Sequence, residues 1–105
     1  MFAAALALLL AMRAEDPDWE LLIEGQPYWI DAAHIDAEGD DRHFTLRYVL
    51  ADGSDTVFEG SADCRANTTD VHKFEVTDRG GRVVMMVIDA AVERELLALT
   101  CTVAG

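Results

Sequence analysis

Three histidines and one acidic stretch are the residues of this sequence whose types could bind a metal or move a proton. His34, His43 and His72 stand at no spacing typical of metal ligands, such as HxxxH. The acidic stretch at 36–41 has carboxylates at Asp36, Glu38, Asp40 and Asp41. It lacks the alternating Asp/Asn spacing and the closing Glu of a calcium loop. We therefore predict no metal ligand and no cofactor in this chain.

A nucleophile or phosphate-binding motif is also absent from the sequence. There is no GxSxG, no P-loop and no dinucleotide fingerprint. The pair Gly80-Gly81 precedes a predicted strand rather than a helix, so it indicates a turn and not a phosphate site. Because no acid–base pair or activated nucleophile is evident, we predict no catalytic residue and expect a protein that is not an enzyme.

Aromatic residues near the start of the chain are the candidates for contact with a partner. Trp19, Tyr28 and Trp29 lie close together in the sequence. Consecutive side chains of a strand point to opposite faces, so Tyr28 and Trp29 cannot both enter one core. The one left outside could anchor a protein contact. The alternative is that the helix or Trp19 covers it.

The only two cysteines, Cys64 and Cys101, predict a disulfide. An even number of cysteines in an exported domain is typical of paired thiols. A metal or nucleophile site is the alternative. It is disfavoured because the pair is far apart, with no CxxC and no neighbouring histidine pattern.

An unbroken apolar run from Phe2 to Met12 precedes the polar part of the chain. It is too short for a spanning helix, which needs about 20 residues, but it matches the core of a secretory signal. No Lys or Arg precedes it, so either the signal is weak or the true start lies upstream; a buried N-terminal helix is the other alternative. We predict a signal peptide at 1–14, a single domain at 15–105, and no membrane span after cleavage. The protein would reside in the periplasm or at the cell surface.

The formal net charge of -12 limits the class of partner. Such a charge repels nucleic acid and anionic lipid, which excludes nucleic-acid binding, and it favours encounter with basic proteins. The oligomeric state cannot be inferred from it.

Hydrophobic periodicity predicts strands joined by tight turns, followed by one helix. Residues 42–50 alternate clearly, with Phe44, Leu46 and Tyr48 on one face, and Asp52-Gly53 predicts a hairpin to a return strand at 56–64. A third strand at 71–76 would place His72 inward. The apolar run at 82–88 predicts a central strand covered on most of both faces.

The last segment changes to a helical period. Asp89 can cap a helix of about 10–13 residues. Its predicted buried stripe contains Val92, Leu96, Leu99 and Cys101. The prediction is an α+β fold: an antiparallel meander with one C-terminal helix packed on a face. The disulfide would join that helix to the end of the 56–64 strand.

The order of these features resembles the surface-adhesin protein E-like domain family of exported bacterial proteins. The likeness rests on Trp19, on Tyr28-Trp29-Ile30-Asp31, on Ser61-Ala62-Asp63-Cys64 and on a final helix with Cys101. Asp89-Ala90-Ala91 departs from the Trp and the Pro-Gly-Ser type turn that the family often has there. The resemblance implies a sheet, a helix and a disulfide, and its named member is an adhesin for host proteins.

Two functions follow as hypotheses. The first is a non-enzymatic domain that binds a protein at the envelope or cell surface, such as a host extracellular protein. The second, based on charge, is an acidic periplasmic inhibitor of a basic enzyme such as a lysozyme. A flat or edge-strand surface favours the first, and a protruding acidic loop favours the second.

Overall fold

The computed structural model describes residues 16–104, so the predicted signal peptide at 1–14 lies outside the described residues. Within this range eight strands precede one helix. Their bounds are β1 Trp19–Leu21, β2 Tyr28–Asp31, β3 Asp36–Glu38, β4 Asp41–Val49, β5 Asp55–Asp63, β6 Thr68–Thr69, β7 Lys73–Thr77, β8 Val83–Val87 and α1 Ala90–Thr100. No helix in residues 16–104 has both the length and the apolar character needed to cross a membrane.

Six of the strands form one antiparallel sheet in the order β1-β2-β4-β5-β6, with β3 also paired to β4. The long β4 and β5 pair over their whole length, from Asp41 opposite Asp63 to Val49 opposite Asp55. The predicted alternation along β4 is confirmed, because Phe44, Leu46 and Tyr48 are buried. The α+β fold class is therefore correct, although two sheets are present rather than one.

The second sheet is the β7–β8 hairpin, which covers the inner face of the large sheet together with α1. Four aromatic rings join the two layers. Phe74 of β7 stacks on Phe58 at a centroid distance of 4.4 Å and contacts Tyr48 and Tyr28 edge-on. Burial is the main cause that raises the pKa of Tyr28 to about 12, and Tyr48 and Asp89 add to it.

The prediction of a central strand at 82–88 is wrong. β8 pairs with β7 in a two-stranded sheet, and three of its side chains face solvent: Val83, Met85 and Val87 are 58%, 50% and 72% exposed. An apolar run indicates a covered strand only where layers lie on both sides, and here there is only one. His72, predicted to share a face with Phe74 and Val76, is exposed, whereas those two side chains are buried.

Helix α1 begins as predicted, because an Asp89 carboxylate oxygen accepts a hydrogen bond of 2.9 Å from the Val92 amide. The buried side chains are Val92, Leu96, Leu97 and Thr100. Leu99, predicted to be buried, is 37% exposed. The covered stripe follows the i, i+4, i+8 row, and Thr100 can occupy it because its hydroxyl donates to the Leu96 carbonyl.

A disulfide and a set of side-chain hydrogen bonds hold the end of α1 against the large sheet. The predicted Cys64–Cys101 disulfide is confirmed, with a Cα–Cα distance of 5.7 Å. Cys64 directly follows β5, and Cys101 is the C-cap of the helix. The hydrogen bonds come from Arg42 of β4, which is 6% exposed and donates to the carbonyls of Thr100 and Val103 at 3.1 and 2.9 Å.

Candidate functional site

A break in pairing along one edge of β4 creates a cleft on the outer face of the large sheet. β2 pairs with residues 46–48 of β4, and β3 pairs with residues 41–43 of the same strand. Neither strand pairs with Phe44 or Thr45, because the chain turns away between them at 32–35. The short strand β3 was not predicted from the sequence.

Asp31 builds the turn that causes this break. Its carboxylate is buried and accepts hydrogen bonds from the backbone amides of Asp18 and Ala33 at 2.9 and 3.2 Å. Its second oxygen lies 2.7 Å from Nδ1 of His34. Burial alone would raise the pKa of Asp31, but these hydrogen bonds outweigh it and the pKa is lowered. An ionised Asp31 therefore fixes the position of His34.

The cleft has a volume of about 280 Å³. It is lined by His34, Asp36, His43, Phe44, Thr45, Glu59 and Gly60. Gly60 is required there, since a Cβ atom would lie 2.8 Å from the Phe44 ring and would also overlap Val71. The two carboxylates, Asp36 and Glu59, make this cleft suited to a cationic group rather than to an anion.

A row of apolar, aromatic and arginine side chains crosses the outer face of the large sheet beside this cleft. The register aligns Leu21 of β1, Trp29 of β2, Arg47 of β4 and Val57 of β5. We name these four residues the outer row. Leu21 and Val57 are 49% and 53% exposed, and Trp29 is half-buried. Arg47 donates to Asp55 at 2.8 Å.

The structure separates the two aromatic candidates predicted for partner contact. Tyr28 is 3% exposed and belongs to the core. Trp29 lies on the opposite, outer face, where no described element covers the exposed neighbours Leu21 and Val57. Trp19, two residues before Leu21 on β1, shares that face and is half-buried.

A second row on the outer face consists of carboxylates alone. Glu38, Asp41 and Asp63 are in register across β3, β4 and β5. Like charges directly opposite each other destabilise a sheet. Glu38 and Asp41 are exposed and flank the tight turn at Gly39. This carboxylate row makes the end of the sheet nearest the disulfide strongly acidic.

The described residues also include side chains of the types that metal sites and catalytic triads use. Among residues 16–104, no group of three or more His, Cys, Asp and Glu side chains is arranged to hold a metal ion. Asp36, His43 and Ser61 are in register and have the types of a catalytic triad. His43 is exposed, however, and lacks the water-excluded surroundings in which enzymes activate nucleophiles.

Comparisons with known proteins add no family to this description. No family model, no curated protein and no solved structure matches the chain.

Proposed function

We propose that this chain is an exported, non-enzymatic bacterial domain that binds a protein partner through the outer face of its large sheet. The observation that carries the proposal is the outer row, in which Trp29 lies between exposed aliphatic side chains and next to Arg47. Trp and Arg are the residue types that most often dominate the binding energy of protein interfaces. The partner would cover Leu21 and Val57 and contact Trp29 at the centre.

The cleft and the net charge indicate the chemistry of this partner. Thr45 precedes Arg47 by two residues on β4, and Glu59 follows Val57 by two residues on β5. The cleft therefore adjoins the outer row on the same face. A Lys or Arg of the partner would enter the cleft between Asp36 and Glu59. The net charge of -12 would speed the encounter with a basic surface.

Export is supported by the disulfide and by the apolar N-terminal run. Disulfides persist in oxidising compartments such as the bacterial periplasm and the cell surface. The resemblance to surface-adhesin protein E-like domains favours the same location. Adhesion to host proteins does not follow from it, because fold-level likeness does not establish function.

Trp29→Ala is expected to weaken partner binding by about 2 kcal/mol or more, roughly thirtyfold, since hot-spot tryptophans lose this much on truncation. The probe is a phage-displayed library of random peptides, selected on the immobilised wild-type domain. We expect the selected peptides to combine Lys or Arg with an apolar residue and to bind wild type far better than the Trp29→Ala variant.

Met85→Ala is the matched control for this selection, because Met85 is similarly apolar and exposed but lies on β8. It should bind the selected peptides like wild type. Peptides that bind Trp29→Ala as tightly as wild type, or a selection that enriches no sequence, would overturn the proposed binding face.

A second function, inhibition of a basic enzyme such as a lysozyme, is favoured by the carboxylate row. Three aligned carboxylates at one end of a rigid sheet are costly for folding and complementary to a basic active-site cleft. The turn that bears two of them is held in place, because Arg42 and the Cys64 amide donate to the Gly39 and Asp40 carbonyls.

For this second function, the domain should slow hydrolysis of bacterial cell walls by a basic lysozyme, most strongly at low salt because the attraction is screened at higher ionic strength. The variant with Glu38→Gln, Asp41→Asn and Asp63→Asn should lose the effect, and Trp29→Ala should keep it. Uninhibited lysozyme at low salt would eliminate this function and leave the first untouched.

A further inference from the structure

The edge of β8 that faces away from β7 is a second surface of unusual composition, separate from the outer row. The strand reads Val83-Val84-Met85-Met86-Val87 and contains no charged residue and no proline. Edge strands of natural sheets usually carry such residues to prevent pairing with another chain. Three apolar side chains of β8 are at least half exposed.

The hydrogen-bonding pattern shows which backbone groups this edge offers. The Asp78 amide donates to the Arg82 carbonyl, and the Ile88 amide donates to the His72 carbonyl. Arg82 and Ile88, just before and just after β8, therefore direct backbone groups toward the chain of β7. In an antiparallel ladder every second residue bonds to the same neighbour. The amides and carbonyls of Val83, Met85 and Val87 therefore point away from β7, toward the open edge.

We propose that β8 pairs with β8 of a second copy of this chain, antiparallel and centred on Met85. The exposed stripe reads the same in both directions, Val-Met-Val. A two-fold axis through the Met85 pair would place Met85 opposite Met85 and Val83 opposite Val87 of the second copy. In this register all three edge residues face a partner residue with which they exchange both hydrogen bonds, and their side chains form apolar cross-strand pairs.

The register also places no like charges opposite each other at the ends of the strand. Arg82 precedes Val83, and Asp89 follows Ile88. Arg82 of one copy lies opposite Ile88 of the other, and Asp89 lies opposite Gly81, so no charge repulsion opposes the pairing. The hairpin would then become part of a four-stranded sheet, which is stable where two strands alone are marginal. The exposed apolar side chains of β8 would then contact those of the second copy along the shared edge.

The test is sedimentation equilibrium of the purified, disulfide-bonded chain over a wide range of concentration. The average mass of wild type should rise from that of one chain toward that of two. Met85→Lys places two like charges at the centre of the interface and should remain at the mass of one chain. Val57→Lys is the matched control, because Val57 has 53% exposure against 50% for Met85 but lies on β5.

Amide hydrogen exchange identifies the interface directly and shows that the Met85→Lys variant is folded. In dilute wild type and in the variant, the amides of Val84 and Met86 should be protected by β7, while those of residues 83, 85 and 87 exchange fast. At high concentration the wild-type amides at 83, 85 and 87 should become protected. A wild type of constant single-chain mass, a Met85→Lys dimer, or a dimer abolished by Val57→Lys would refute the proposal. None of these results bears on the binding of peptides at Trp29.

Discussion

Loss of the Cys64–Cys101 disulfide is expected to lower the free energy of unfolding by about 4 kcal/mol. The two cysteines are 37 residues apart in sequence, and the entropy gained by the unfolded chain when a loop of this size opens corresponds to about that value. Small domains are stable by only about 5–15 kcal/mol, so much of the stability would be lost. Urea unfolding of the oxidised and reduced protein, followed by circular dichroism, measures the difference.

The variant with both cysteines replaced by alanine is the control for the reducing agent. It should unfold like the reduced wild type, and reduction should leave its midpoint unchanged. If oxidised and reduced wild type differ by less than about 1 kcal/mol, the helix is held by its other contacts and the disulfide adds little.

Arg42→Ala is expected to destabilise the domain by about 3 kcal/mol. At the end of α1, the Thr100 and Val103 carbonyls accept hydrogen bonds from Arg42, and the substitution removes these donors. A buried acceptor left without a partner costs free energy of folding. The positive charge of Arg42 also lies at the negative end of the helix, where a cation is stabilising. Thermal and urea unfolding of the variant measure the loss.

Arg47→Ala provides the contrast for Arg42, since it removes an arginine from the same strand. Arg47 pairs with Asp55 at the surface, where an ion pair is worth about 0–1 kcal/mol. Arg42→Lys should recover only part of the loss, because an ammonium group lacks the planar fork that serves several carbonyls at once. Equal losses from Arg42→Ala and Arg47→Ala would show that burial of Arg42 contributes nothing specific.

The features that local pattern predicts well are the long strands, the helix and the disulfide. Along β4 a period of two identified the buried face at Phe44, Leu46 and Tyr48, and Arg42 has the same parity. Charged side chains are rarely buried, and the burial of Arg42 is explained by the end of α1, whose Thr100 carbonyl accepts its hydrogen bond. That contact joins residues 58 positions apart, so no local pattern contains it.

The candidate site was predictable only in part, for the same reason. Alternation in β2 required Tyr28 and Trp29 to face opposite ways, but which of them enters the core depends on where the β7–β8 hairpin packs. The break between β2 and β3 depends on Asp31 receiving the Asp18 amide, 13 residues earlier. The exposure of β8 was unpredictable because an apolar run does not reveal how many layers surround it.

Site-specific photo-cross-linking in the cells that produce this protein tests the proposed binding face most directly. A photoreactive phenylalanine analogue would replace Leu21, which flanks Trp29, in one strain and exposed Arg94 of α1 in another. Binding through the outer face predicts a cross-linked product with a second protein from position 21 and none from position 94. A product formed from position 94 alone, or from neither position, would contradict it.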